Sequence, residues 1–169
     1  MSYRYVVFDA STLILLAKIE ILPIWLTRVQ AVITTQVKAE ATRQSELPDA
    51  RIIAGLLAHQ KIQVHHVDSK RIKRLEKDFR LDPGEASSVL LAKELNAVLG
   101  TDDGVAIKAC KILEIPFVTA IHLLIRAHEE RLIGRQETLV KLEKLQRCGR
   151  YDSRILEDAV KLIQGGKLT

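Results

Sequence analysis

Tyr5-Val6-Val7-Phe8-Asp9-Ala10-Ser11-Thr12-Leu13 opens with β-branched and aromatic residues, stops at an acid and changes at once to helical spacing. A short apolar run of this kind reads as a buried strand, and the residues after it, Ser11–Lys18, read as a helix. The same alternation continues outward. Ala31–Thr34, Ile62–Val67, Ala97–Gly100 and Pro116–Thr119 are the next strand candidates. Helical spacing separates them over Leu22–Arg28, Thr35–Ser45, Ala50–His59, Ser69–Phe79, Asp82–Leu95 and Gly104–Leu113. From Ile121 onward the pattern is helical, broken near Gly134, Gly149 and Gly165.

Strands separated by helices predict a three-layer α/β/α fold around a central parallel sheet of about five strands. With right-handed crossovers the C-terminal ends of the strands share one edge, where ligands of open α/β sheets bind. A single domain over 1–169 is expected, with a core of about 3–120 and C-terminal helices of about 121–166; neither a repeat nor a Gly/Ser/Pro linker divides the chain. The 169 residues suffice for one sizeable core, and 47% hydrophobic with 28% charged residues places the chain among ordinary globular proteins.

Lys and Arg number 26 against 21 acids, a net +5 that is compatible with a polyanionic partner without demanding one. Cys110 and Cys148 form no CxxC pair, which argues against a zinc site or disulfide framework. No apolar stretch approaches the ~20 residues of a membrane span. The chain does not open with the features of a secretory leader, so a cytoplasmic location and no membrane contact are expected. Neither GxGxxG after a strand, nor a P-loop, nor a GxSxG elbow is present, which disfavours dinucleotide, NTP and serine-hydrolase chemistry.

The carboxylates carry the functional signal. Asp9 follows the first strand, and Asp102-Asp103 follow the fourth. Glu40 lies in the helix after the second strand, and Glu85 in the first turn of the helix before the fourth. If the first and fourth strands are neighbours, Asp9 and Asp102 face each other, and Glu40 and Glu85 can close a ring. Clustered carboxylates cannot all stay ionised without a counter-charge. Hard oxygen donors suit Mg²⁺ or Mn²⁺, and such ions assist phosphodiester hydrolysis. Ser11 and Thr101 stand where hydroxyls could orient those acids.

Each acid also has a plain structural reading. Asp9 and Asp103 suit helix N-caps, Glu40 suits a solvated helix face, and Asp82-Pro83-Gly84-Glu85 suits a capping box with Pro at the first helical position. That last reading is sufficient for Asp82. The basic runs Lys70–Arg74 and Lys141–Arg154 read first as solvated helix faces and second as phosphate-tracking surfaces.

The residues together resemble the PIN-domain family. Val6–Leu13 resembles its opening strand with Asp-x-Ser/Thr; Val37-Lys38-Ala39-Glu40, Gly84-Glu85-Ala86-Ser87-Ser88-Val89 and Leu99-Gly100-Thr101-Asp102-Asp103 resemble its second to fourth motifs, in order. The Gly-Glu-Ala and Asp-Asp pairs are similar to a prokaryotic subgroup described as VapC-like toxins or uncharacterised PIN proteins. That resemblance implies a Mg²⁺- or Mn²⁺-dependent endoribonuclease acting on RNA, often dimeric and often paired with an antitoxin protein. It implies Asp9, Glu40, Glu85 and Asp102 as metal ligands, with Asp103 supporting or sharing the role. Two other readings compete. A haloacid-dehalogenase-type phosphatase needs Asp-x-Asp after the first strand, where this chain has Ser11. A non-enzymatic module, either a receiver domain or a degenerate PIN protein, would bind without cleaving.

Overall fold

The computed structural model describes residues 4–165. Five strands, β1 (Tyr5–Phe8), β2 (Gln30–Thr34), β3 (Ile62–His65), β4 (Val98–Gly100) and β5 (Phe117–Val118), form one sheet in the order β3-β2-β1-β4-β5. Every pairing is parallel, with Val7 beside Val32 on one side and Leu99 on the other. The order reverses at β1, so the crevice at that switch point opens where β1 and β4 end.

Alternation along the strands sorts the core into two layers. Val6, Phe8, Ala31, Ile33 and Val98 pack on one face with α1 (Ala10–Lys18), α2 (Leu22–Trp25), α3 (Thr35–Ala41), α4 (Pro48–Ala58), α8 (Ala120–Glu129), α9 (Arg135–Cys148) and α10 (Ser153–Ile163). Val7, Val32 and Leu99 pack on the other with α5 (Ser69–Phe79), α6 (Pro83–Glu94) and α7 (Gly104–Ile112). This is the predicted α/β/α sandwich. Residues 3 and 166, the outer limits expected for the core and the C-terminal helices, lie outside the described residues. Among the described residues no helix is long and apolar enough to cross a membrane.

Several elements are shorter than the sequence pattern predicts. The α2 helix stops at Trp25, because the amides of Arg28 and Val29 both turn back onto the Trp25 carbonyl. The α3 helix ends at Ala41 rather than Ser45: Thr42 leaves helical geometry (φ −108, ψ 5), and the Arg43 amide turns back onto the Glu40 carbonyl (3.3 Å). The β3 strand lies at the sheet edge, as its alternation suggests, with Ile62 buried and Gln63 and Val64 exposed.

The basic runs behave differently from each other. Helix α5 buries only Ile72 and leaves its cations in solvent, the amphipathic reading. In the second run Lys141 is buried, and its ammonium donates to the Ile19 carbonyl at the C-terminus of α1 (2.9 Å). A cation there complements the negative end of the helix dipole.

Gly100 marks the closest approach in the central strands. A Cβ there would stand 2.5 Å from Cδ1 and 2.9 Å from Cε1 of the fully buried Phe8 ring. Gly100→Ala is expected to destabilise the fold by about 1–3 kcal/mol, since neither strand nor ring has room to give. Chemical denaturation checks this; an unchanged midpoint would mean that the β1–β4 seam is looser than described.

Candidate metal centre at the β1–β4 crevice

Asp9 leaves β1 with its amide donating to the Gly100 carbonyl (3.0 Å), so it is locked to the end of β4. It is also the N-cap of α1, and its side chain is only 2% exposed. Oδ1 accepts from the Ser11 hydroxyl (2.7 Å) and the Thr12 amide (3.0 Å), and Oδ2 accepts from the Thr101 hydroxyl. The capping and orienting roles expected of these residues thus coincide in one carboxylate.

Asp102 lies just beyond β4. Its Oδ2 accepts from the Thr12 hydroxyl (2.5 Å) and the Ala120 amide (2.9 Å), and Oδ1 accepts from the Tyr151 hydroxyl. Ser11 joins the two acids, because its hydroxyl oxygen also accepts from the Asp102 amide (3.1 Å). Asp103 caps α7 through Oδ1, which accepts from the amides of Val105 and Ala106 (2.7 and 2.8 Å). Its second oxygen is not part of that cap.

The N-terminus of α6 brings the remaining acids. Asp82 and Glu85 form the predicted capping box, each side chain accepting from the other's backbone amide (2.8 and 3.0 Å). Glu40 reaches over from α3, and Gly84 admits it: a Cβ at 84 would sit 2.8 Å from Glu40 Oε2. Asp9, Glu40, Asp82 and Glu85 line a small cavity of ≈ 40 Å³ together with Ala10 and Ser11. A second cleft of ≈ 320 Å³ shares Ser11 and Glu85 with it and adds Asp102 and Asp103. Lys18, Arg150 and Tyr151 line the same cleft.

The structure therefore brings all five predicted acids, Asp9, Glu40, Glu85, Asp102 and Asp103, around two adjoining cavities. It also adds residues that sequence reasoning left out. Asp82, read as a cap alone, is both cap and cavity wall. Thr12 holds Asp102. Lys18, Arg150 and Tyr151 come from segments whose pairing with this edge no local pattern announces.

The electrostatics are those of an uncompensated cluster. Burial pushes the Asp9 carboxyl up from 3.8 to about 7; its three hydrogen bonds pull it down and Asp102 adds to the rise. Glu85 is raised by burial and by Asp82, Asp103 and Asp9, against the downward pull of the Asp82 amide. Glu40 is raised by partial desolvation and by Asp82, with Arg43 opposing. Among the described residues no Lys or Arg forms an ion pair with any of these acids.

A divalent cation would supply that missing charge, and the donors fit a hard one: carboxylate oxygens, with neither thiolate nor imidazole lining the small cavity. Among the described residues, however, no three His, Cys, Asp or Glu side chains are grouped closely enough to hold an ion as they stand. Both oxygens of Asp9 and of Asp102 are engaged by hydroxyl or amide donors, and Glu85 Oε2 is turned onto the Asp82 amide. Asp9 Oδ2, Asp102 Oδ1 and Glu85 Oε2 accept one hydrogen bond each, which leaves one lone pair free on each of those oxygens. Glu40 belongs to the exposed residues of α3, with its carboxylate against Gly84.

Known proteins resemble this chain in sequence and in fold. The family model DUF3368, described as a PIN domain, matches residues 5–164. Among solved structures, PAE2754 from Pyrobaculum aerophilum is 21% identical, covering 75% of this chain and 96% of its own, with a TM-score of 0.56. The PilT N-terminus domain protein SSO1118 from Sulfolobus solfataricus P2 is 20% identical over 74% of this chain and 94% of its own, with a TM-score of 0.49. No curated protein matches.

Proposed function

The chain belongs to the PIN-domain family, whose members are generally nucleases, and from that premise we propose that it is a Mg²⁺- or Mn²⁺-dependent endoribonuclease hydrolysing RNA phosphodiester bonds. One observation carries the reading: four carboxylate residues line a single cavity with no Lys or Arg among its lining residues, beside a cleft that holds Asp102 and Asp103.

In this reading Asp9, Glu40, Glu85 and Asp102 hold the ion, and Asp103 supports or shares the role. A bound divalent ion supplies Lewis acidity to the phosphoryl oxygens and lowers the pKa of water at neutral pH. The protein's own part is preorganisation. Ser11 and Thr101 hold the Asp9 carboxylate in one orientation, and Thr12 and the Ala120 amide do so for Asp102. Fixed donors of this kind need no reorganisation during the reaction. Lys18 and Arg150, exposed in the same cleft, attract the polyanionic strand and offset the repulsion that bare carboxylates exert on it. The same reading extends to the toxin half of a toxin–antitoxin pair, with an antitoxin protein and a second copy of the chain as partners.

One observation favours a second reading, a catalytically degenerate PIN protein that only binds a partner: the acids are not grouped as a ready ligand set among the described residues. Titrating Mg²⁺ or Mn²⁺ into a cleavage assay on structured and single-stranded RNAs separates the two. The nuclease reading expects cleavage that EDTA abolishes and either ion restores. Activity that survives EDTA removes the metal mechanism, and no cleavage at any ion concentration leaves the binding module.

A further inference from the structure

The helices after residue 120 read from sequence as an extension of the fold, yet the connection between α9 and α10 reaches the acidic crevice. The Tyr151 hydroxyl donates to Asp102 Oδ1 across 49 residues of chain (2.5 Å). The other oxygen of the same carboxylate accepts from Thr12 in α1 and from the Ala120 amide at the start of α8. Three separate segments therefore fix one side chain, and a carboxylate held at both oxygens cannot rotate. We propose that Tyr151 is a positioning residue for the hydrolytic centre: it sets the direction in which Asp102 presents its free lone pair. The inference rests on the nuclease reading.

Two features say that the hydroxyl, and not the ring alone, is what this place requires. The ring packs against the hydrophobic core at the C-terminal helices, a task that Phe would perform equally. The chain also clears a seat for it. Gly149 has an ordinary extended backbone (φ −103, ψ 169), so no conformational need explains the glycine. A Cβ at 149 would instead overlap the Tyr151 ring. The glycine thus lets the ring lie flat against the connection with its oxygen aimed at Asp102. The adjacent Arg150 lines the same cleft, so the connection supplies a wall of the site as well as a hydrogen bond.

Tyr151→Phe in the full chain removes the oxygen and keeps the ring. Asp102 is half-exposed, so water replaces the lost donor and the protein folds. The expected result is a Mn²⁺ dissociation constant, measured calorimetrically with the metal alone, that rises about 10- to 100-fold, as for other residues that orient metal ligands. On RNA, kcat should fall while KM stays near wild type, because the strand contacts are untouched. Gly149→Ala, which crowds the ring from its seat, should weaken Mn²⁺ binding in the same way. Wild-type protein that binds Mn²⁺ and cleaves, alongside Tyr151→Phe with unchanged affinity and kcat, overturns the positioning role and leaves the nuclease reading standing. Wild-type protein that binds no Mn²⁺ at millimolar concentration overturns both. A Tyr151→Phe protein whose melting temperature falls while affinity and kcat hold shows a structural hydroxyl and also refutes the proposal.

Discussion

Asp9→Asn is expected to abolish RNA cleavage while leaving the fold intact. Asparagine is nearly isosteric and is itself a favoured N-cap, so its side-chain oxygen can accept from Ser11 and the Thr12 amide as Asp9 does. Its amide nitrogen can donate where Oδ2 now accepts from Thr101. What disappears is the charge, and with it the central member of the carboxylate cluster. Losing several kcal/mol of transition-state stabilisation lowers the rate on the order of 10³-fold. The folded protein should not suffer, because a carboxylate that is 2% exposed and unpaired is itself a liability above neutral pH. Paired measurements decide the matter: single-turnover cleavage on one RNA and a melting temperature at pH 8. Cleavage within a few-fold of wild type by a well-folded Asp9→Asn protein would remove Asp9, and the cluster around it, from the reaction.

That pairing of function with fold explains why part of the site was legible from residues alone. Asp9 and Asp102 each follow a strand, and a parallel sheet puts those strand ends on one edge, so pattern and topology suffice to bring them together. Glu40 and Glu85 were legible as acids near helix starts on the same edge. Asp82 was not, because a capping box accounts for it fully; only the fold shows that Glu40 lies against the same helix N-terminus, through the gap at Gly84. Gly149-Arg150-Tyr151 followed by a helix resembles the ending of the same prokaryotic subgroup, but nothing in that stretch states that Tyr151 meets Asp102. Its partner is fixed by how α10 lies on α8 and α9, and helical spacing states which face of a helix is apolar but not which neighbour it meets. The overlong expectations for α2 and α3 have a related cause. Periodicity continues past Trp25 and Ala41, while the chain is turned there by the returning amides of Arg28 and Val29 and by that of Arg43.

The melting temperature of the ion-free protein should fall as pH rises, and a divalent ion should reverse the fall. The Asp9 carboxyl has an ordinary value of 3.8 and is held at about 7 in the folded chain. Between those values the folded state keeps a proton that the unfolded state has released, so acid favours folding and stability is lost as pH climbs through about 7. Glu85 and Glu40 are raised as well and add in the same direction. For Asp9 alone the change is on the order of a few kcal/mol, or roughly 5–10 °C for a chain of this size. An ion competes with the proton for the same oxygens. At pH 8, Mn²⁺ at a hundred times its dissociation constant should contribute about 2.7 kcal/mol and recover several degrees. At pH 5 Asp9 and Glu85 are protonated in the folded state, and the same Mn²⁺ concentration should move the midpoint less than at pH 8. Asp9→Asn should remove Asp9's share of the pH dependence and weaken the Mn²⁺ response together, because the same buried carboxyl contributes to both. A thermal-shift series at pH 5 and pH 8, with and without Mn²⁺, tests the whole scheme. A flat profile for the ion-free wild type would mean that the buried carboxyls are compensated within the protein. A Mn²⁺ shift equal at both pH values would mean that the ion binds elsewhere.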